Sequence, residues 1–346
     1  MSYKNTVKLF ASNFTLVWKQ VLYTLICTLI FTLLSYSTIS PVLELLEENN
    51  IFLELENLFE VVYASPKELA LTLSDWSKHF IDVLFSNISS IIWNLIGTAI
   101  LGVFLPYIAI QMSFFNISSI MHQKMTMNMD VPYTQNFISN LWISFRYAIA
   151  KFVLSLPFLA VLILLIEIYL MIATTILASL VGLVFLSALL IFFTSAQITL
   201  FSCQTGYMIE HKVGPFVAFG KSLTSVLKRF WRIISMSIAI VFTLIFVNSF
   251  IIVFTFFSGS IVMFPASYLF MAIFNIVVYL TVRGERYYLG NNLIFNPSKY
   301  VVKQDEFVES TIPEEIKEIE VTTAVMKKKK VKKPVKNSKK KTNVKK

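Results

Sequence analysis

Apolar residues in this chain gather into four stretches, Val21 to Leu43, Val83 to Met121, Phe152 to Ile209 and Ile233 to Val282, divided by short segments where charges concentrate. A helix crosses a bilayer with about 20 apolar residues. The first two stretches therefore predict one span each, with Pro106 expected to kink the second. The third, broken only by Glu167, and the uncharged fourth are long enough for two spans each. The fourth is expected to turn near Ser258-Gly259-Ser260, where glycine relaxes the backbone limits. The pattern predicts an all-α polytopic membrane fold of six helices. A cytoplasmic amphipathic N-terminus (1–20) leads into span one (21–40), an acidic outer loop (41–82) and span two with an extension (83–121). A cytoplasmic elbow (122–151), spans three and four (152–209), a basic elbow (210–232) and spans five and six (233–282) come next. A juxtamembrane segment (283–303), an acidic linker (304–326) and a disordered lysine-rich tail (327–346) close the chain.

The segments before the odd-numbered spans resemble one another. Apolar residues recur at i, i+4 and i+8 as Phe10, Phe14 and Trp18, as Phe137, Leu141 and Phe145, and as Phe219, Leu223 and Leu227. Small or polar residues fill i+2 and i+3, and a cation, Lys19, Arg146 or Lys228, stands at i+9. This spacing predicts one face of a helix, lying in the interface with aromatics toward the acyl chains and the cation toward phosphates. Three repeats of elbow plus helix pair follow from it. Phe10 to Phe137 is 127 residues and Phe137 to Phe219 is 82, and the difference of 45 is close to the length of the outer loop. A second echo pairs Gln111, Phe115, His122 and Lys124 with Gln197, Phe201, His211 and Lys212. In the outer loop, Ser65-Pro66-Lys67-Glu68 reads as a capping box ahead of a stripe of Leu69, Leu73, Trp76 and Phe80. A preceding stripe of Leu55, Leu58, Phe59 and Val62 predicts a second acidic amphipathic helix. The pair would cap the outer face, either resting on the bundle or docking an extracytoplasmic protein.

Composition agrees with a membrane protein, since 56% of residues are hydrophobic and 14% charged. Lys4, Lys8 and Lys19, then Lys124, Arg146 and Lys151, then Lys212, Lys221, Lys228, Arg229 and Arg232 fall in alternate segments, before predicted spans one, three and five, and so on one side of the membrane. Short cytoplasmic loops are rich in such residues, so both termini are expected inside. The first span exceeds a signal-peptide core and has no prompt small-x-small site, which predicts an uncleaved anchor. Cys27 and Cys203 both fall in predicted spans and read as small apolar filler.

Polar residues within spans mark candidate paths or interhelical bonds. Glu167 is the charged candidate, placed toward the outer end; Gln111, Gln197, Asn248 and Asn275 are the uncharged ones. The histidines are expected in separate loops, His79 outside and His122 and His211 inside. No hydrolase, nucleotide-binding or metal motif occurs, so neither enzymatic activity nor a cofactor is expected. The tail carries Lys327, Lys328, Lys329, Lys330, Lys332, Lys333, Lys336, Lys339, Lys340, Lys341, Lys345 and Lys346 with no acid, and removing these twelve from the formal charge of +10 leaves −2. Such a tail binds anionic cytoplasmic-leaflet lipid, or ribosomal RNA by counterion release, but lacks arginine and aromatics for base recognition.

With its interfacial helices before helix pairs and its exit at Arg286-Tyr287-Tyr288-Leu289, the chain resembles bacterial multi-pass proteins related to the membrane domain of glycerophosphodiester phosphodiesterases. The resemblance covers about residues 5 to 300 and implies no catalytic residue, because the hydrolase domain is lacking. The residue bias toward Lys, Ile, Asn and Phe suggests an AT-rich bacterial genome and hence a bacterial cell membrane. Two function classes follow: a non-enzymatic scaffold, assembly or biogenesis factor, or a transporter or transporter subunit. Glu167, as the lone intramembrane charge, favours the first.

Overall fold

The computed structural model describes residues 2–61, 66–173, 180–290 and 293–297. Ser65 of the expected capping box, the turn between spans three and four, the acidic linker and the lysine tail lie outside these. A short helix α1 (Ser2–Ser12) leads into α2 (Thr15–Glu48), which runs through Pro41. Next come α3 (Ile51–Val61), α4 (Pro66–Ser86) and α5 (Ile88–Thr98). The π-helical segment Ala99–Phe104 joins α5 to α6 (Leu105–Met127). Helices α7 (Tyr133–Ser139), α8 (Leu141–Ala173), α9 (Leu180–Phe201) and α10 (Gln204–His211) form the middle of the chain. Then α11 (Pro215–Leu227), α12 (Phe230–Phe254) and α13 (Ser260–Arg283) lead to an antiparallel hairpin, β1 (Tyr287–Gly290) and β2 (Leu293–Phe295).

Six of these helical stretches are long and apolar enough to cross a membrane, as the hydropathy pattern predicts, and the chain is a multi-pass membrane protein. Spans one and three begin earlier than expected, as Thr15–Glu48 and Leu141–Ile168, whereas span two begins later, at Ile88. Their positions in the bundle differ sharply. In α13, 61% of the apolar window is buried, against 17% or less in each of the other five. Helix α13 is therefore the central post. The outer helices carry rows such as Leu22, Leu29 and Leu33 exposed on their far faces, where hydrocarbon takes the place of a protein core. Around α13 pack α6, α2, α12, α10 and α1.

The threefold order of short helix, break, span and returning span is present throughout. The predicted single face is not, because in the first two copies the chain breaks within it. Asn13 Nδ2 donates to the Leu9 carbonyl at 2.8 Å, and Asn140 Nδ2 to the Asn136 carbonyl at 2.9 Å. A side chain that takes a carbonyl four residues back competes with helix continuation. In the third copy, Ser222 instead donates to the Leu200 carbonyl at 2.8 Å, tying α11 to α9, and the break falls at Lys228-Arg229. Burial confirms that shifted register. Leu9, Val17 and Gln20 in the first copy, Asn136, Ser144 and Tyr147 in the second, and Val226, Ile234 and Ser237 in the third occupy equivalent buried positions. On that register, Phe14, Leu141 and Trp231 are the equivalent exposed residues, so Leu223 and Leu227 do not play the roles that spacing assigns them. The first aromatic of each copy faces protein rather than lipid: Phe10 meets Phe270 at 5.5 Å between ring centres, Phe137 meets Tyr23 at 5.6 Å and Phe219 meets Phe201 at 4.9 Å.

The outer helices α3 and α4 rest on the end of α2. Val42, Leu46, Ile51 and Val83 form a small core under Trp76 and Phe80, and Trp76 Nε1 donates to the Ile51 carbonyl at 3.2 Å. His79 Nδ1 bonds Glu54 at 2.9 Å, joining the two helices. The turn between α12 and α13 lies where expected, but the left-handed residues there are Phe256 and Phe257, with φ of 48° and 67°. Gly259 is needed for space: a Cβ there would stand 2.4 Å from Thr255 Oγ1, which accepts from the Gly259 amide. The exit segment is not a simple interfacial anchor either. Tyr287 is buried and its hydroxyl accepts from Asn5 Nδ2 at 2.9 Å, which fastens α1 to the hairpin and places both on one side of the bundle.

Candidate functional site: an intramembrane cavity

The register of the returning spans brings three amides to one place. Gln111 on α6, Gln197 on α9 and Asn275 on α13 all line a cavity of about 540 Å³, a volume ordinary for a small-molecule site. Apart from Lys151, Ser155 and Ser267, the rest of its wall is apolar and aromatic, with Tyr107, Phe152, Phe158 and Tyr268 among the lining residues. Val103, Leu156 and Leu159 line the cavity and are also 63%, 44% and 52% exposed, so the mouth opens sideways, toward lipid. Val103 belongs to the π-helical segment directly before Pro106. Proline lacks the N–H that a regular helix would use one turn back, and π segments recur at functional sites.

The charge in this cavity is Lys151. Its place near positive loop residues suggests an elbow residue, but α8 starts at Leu141, so Lys151 lies ten residues inside a span, about 15 Å from its start. Its Nζ stands 4.5 Å from the centre of the Phe114 ring and 5.5 Å from that of Tyr147. These ring faces attract a cation, yet among the described residues no carboxylate pairs with it. Two acceptors in the same cavity are also unmatched: Gln111 Oε1 and Asn275 Oδ1 are buried with no hydrogen bond among the described residues, although each side chain is only 5% exposed. Native interiors satisfy most such groups, so an orphan beside an uncompensated cation calls for an account.

The other sequence candidates fall elsewhere. Asn248 makes a reciprocal pair with Ser267, at 3.0 and 3.2 Å, an interhelical bond of the expected kind. Glu167 is exposed and lies far along α8, outside the cavity. Cys27 and Cys203 are free thiols, and Cys203 is buried as filler.

A second polar group forms at the elbow side. Tyr279 donates to Glu210 Oε2 at 2.6 Å, and Arg283 Nη1 donates to Glu210 Oε1 at 2.6 Å and to the Tyr279 hydroxyl at 2.7 Å. His211 Nε2 lies 2.6 Å from Arg283 Nη1, and His122 Nε2 stands 3.8 Å from Glu210 Oε2. The two histidines expected in separate loops thus meet around one carboxylate, because α6, α10 and α13 converge there. Gly206 allows the approach: a Cβ would stand 2.2 Å from the Tyr279 ring. The cluster fastens the elbow-side ends of these helices, and no group of His, Cys, Asp and Glu able to hold a metal occurs among the described residues.

Sequence spacing identified the three amides but not their convergence, and placed Lys151 among the loop cations rather than within a span. The available signal was its position between Phe152 and the apolar Tyr147-Ala148-Ile149-Ala150, which continues the helical run rather than ending it. No protein-family model, curated protein or solved structure matches this chain.

Proposed function

We propose that this protein is a transporter or transporter subunit whose bundle binds its cargo in the Lys151 cavity. Lys151, which lines the cavity with the three amides and pairs with no carboxylate among the described residues, carries this reading, because an intramembrane charge is retained where a path or ligand uses it. Two further features support it. The cavity lies among helices from all three repeats, as binding sites in repeat-built transporters do, and its wall includes an irregular helical segment. With Lys151 inside the bundle, Glu167 is not the lone intramembrane charge, and its isolation no longer favours a scaffold. The protein resides in a bacterial cell membrane with both termini in the cytoplasm, and its lysine tail binds the anionic leaflet.

Cysteine accessibility tests the reading. In a background with Cys27 and Cys203 replaced by alanine, Ser155→Cys and Gln197→Cys place single thiols on the cavity wall. In sealed vesicles, a carrier should react with a membrane-impermeant maleimide from at least one aqueous face. Reaction with a lipid-soluble maleimide alone would leave a lipid pocket without passage and overturn transport. No reaction with either reagent would remove the cavity as a site.

A further inference from the structure

Resting on the cavity being a ligand site, the chemistry of its wall narrows the ligand. Three observations bear on it together. Lys151 offers a cation that the Phe114 and Tyr147 rings face and that no carboxylate pairs with among the described residues, so an anion is its complementary partner. Gln111 Oε1 and Asn275 Oδ1, on side chains that line the cavity, have no donor among the described residues, so a head that also carries an N–H or O–H matches them once the amides turn toward it. Apart from Ser155, Ser267 and Gln197, the remaining wall is apolar and aromatic and opens sideways at Val103, Leu156 and Leu159, so the rest of the molecule is hydrocarbon that reaches the cavity from the bilayer. A fatty carboxylate supplies the anion and the chain but no donor. A long-chain alcohol supplies the donor but no charge.

We infer that the cavity binds a phosphate-headed amphiphile with an adjacent ammonium or hydroxyl, its phosphate on Lys151, its donor on Gln111 and Asn275, and its chain in the lateral mouth. A bilayer phospholipid and a single-chain lysophospholipid share this head, and the cavity chemistry applies to both. The lysine is well suited to the role as a compact point charge with rotatable donors, which suits a phosphate without demanding the planar geometry of arginine.

Binding to the purified full-length protein in lipid-poor micelles decides the matter, read by native mass spectrometry and by competition. The probes are oleoyl-lysophosphatidylethanolamine, dioleoyl-phosphatidylethanolamine, oleate, oleyl alcohol and oleylamine. Saturable binding of the lysophospholipid, at least about tenfold tighter than oleyl alcohol or oleylamine, is expected. Dioleoyl-phosphatidylethanolamine competing for the same site would identify the bilayer lipid as a source; failure to compete would confine the site to single-chain forms. Lys151→Met should weaken the lysophospholipid by about tenfold or more, whereas Lys151→Arg should retain most of the affinity and Lys124→Met all of it. Asn275→Leu should erase the preference for the lysophospholipid over oleate. Should Lys151→Met fail to fold, the probe series and Asn275→Leu still decide. Equal binding of oleylamine and the lysophospholipid, or no effect of Lys151→Met, overturns the assigned head chemistry while leaving a binding cavity in place. No saturable binding of any probe, joined with unreactive cavity thiols, overturns the cavity itself.

Discussion

Asparagine is the residue that shapes this molecule most often. Asn13, Asn49, Asn87 and Asn140 each donate to the carbonyl four residues back, and each stands where a helix ends. Asn136 does something different. Its Nδ2 donates to Asn116, while its Oδ1 accepts from Ser119, Gln123 and Asn140, which locks α7 against α6. Asn136→Leu should cost about 1–3 kcal/mol for each polar group left buried without a partner, seen as earlier thermal unfolding in detergent. An unchanged unfolding temperature would mean that water replaces the amide. Gly206 is the second sensitive position. Gly206→Ala must displace the Tyr279 ring, and overpacking of this kind costs about 1–3 kcal/mol. Gly220→Ala, where a Cβ meets nothing within 4 Å, is the matched control and should be neutral or slightly stabilising.

At the scale of elements, the interfacial helices are better described as struts than as lipid anchors. The first aromatic of each faces the bundle, and polar bonds reinforce the contact: Ser113 of α6 donates to Gln20 of α2 and lies 2.6 Å from the Tyr133 hydroxyl of α7. Burial disfavours the phenolate of Tyr133 and raises its pKa above the ordinary phenol value. Its contribution therefore persists through neutral pH and is lost only as pH rises through the folded value. The π segment is the other element with a consequence. Replacing Pro106 restores the missing N–H and lets Ala99–Phe104 relax toward a regular helix, which rotates Val103 away from the cavity mouth. Labelling of Val103→Cys by a lipid-soluble maleimide should then change in rate when Pro106→Ala is added; an equal rate would show that proline does not set this register.

For the whole molecule, six spans put α1 and the terminal hairpin on one side, and the Asn5–Tyr287 bond joins them there. Thiols introduced at His79 and at Lys221 should label from opposite faces of sealed vesicles, with Lys221 on the cytoplasmic face. Labelling of both from one face would refute the six-span order. Removing residues 327–346 should leave unfolding unchanged and reduce the anionic lipid retained at low salt, since each well-placed lysine contributes about 1 kcal/mol to such binding. Equal retention by the two forms would assign the bound lipid to the bundle.

Local pattern was sufficient for the fold class, the six spans, the outer pair of helices and the repeated order of elbow and helix pair. Each of these depends on the hydropathy and spacing of neighbouring residues, which the bilayer and the helix period read directly. Everything that depends on which faces meet came only from the tertiary arrangement. Two elbow faces are split by asparagines, the third is shifted, and His122 and His211 converge on Glu210. Lys151 illustrates the reason most clearly. By charge it belongs with the loop cations, and only the early start of α8, together with the rings of Phe114 and Tyr147, carries it into the bundle beside Gln111, Gln197 and Asn275. A cavity is a property of surfaces distant in the chain that fail to fill the space between them, and no stretch of sequence contains it.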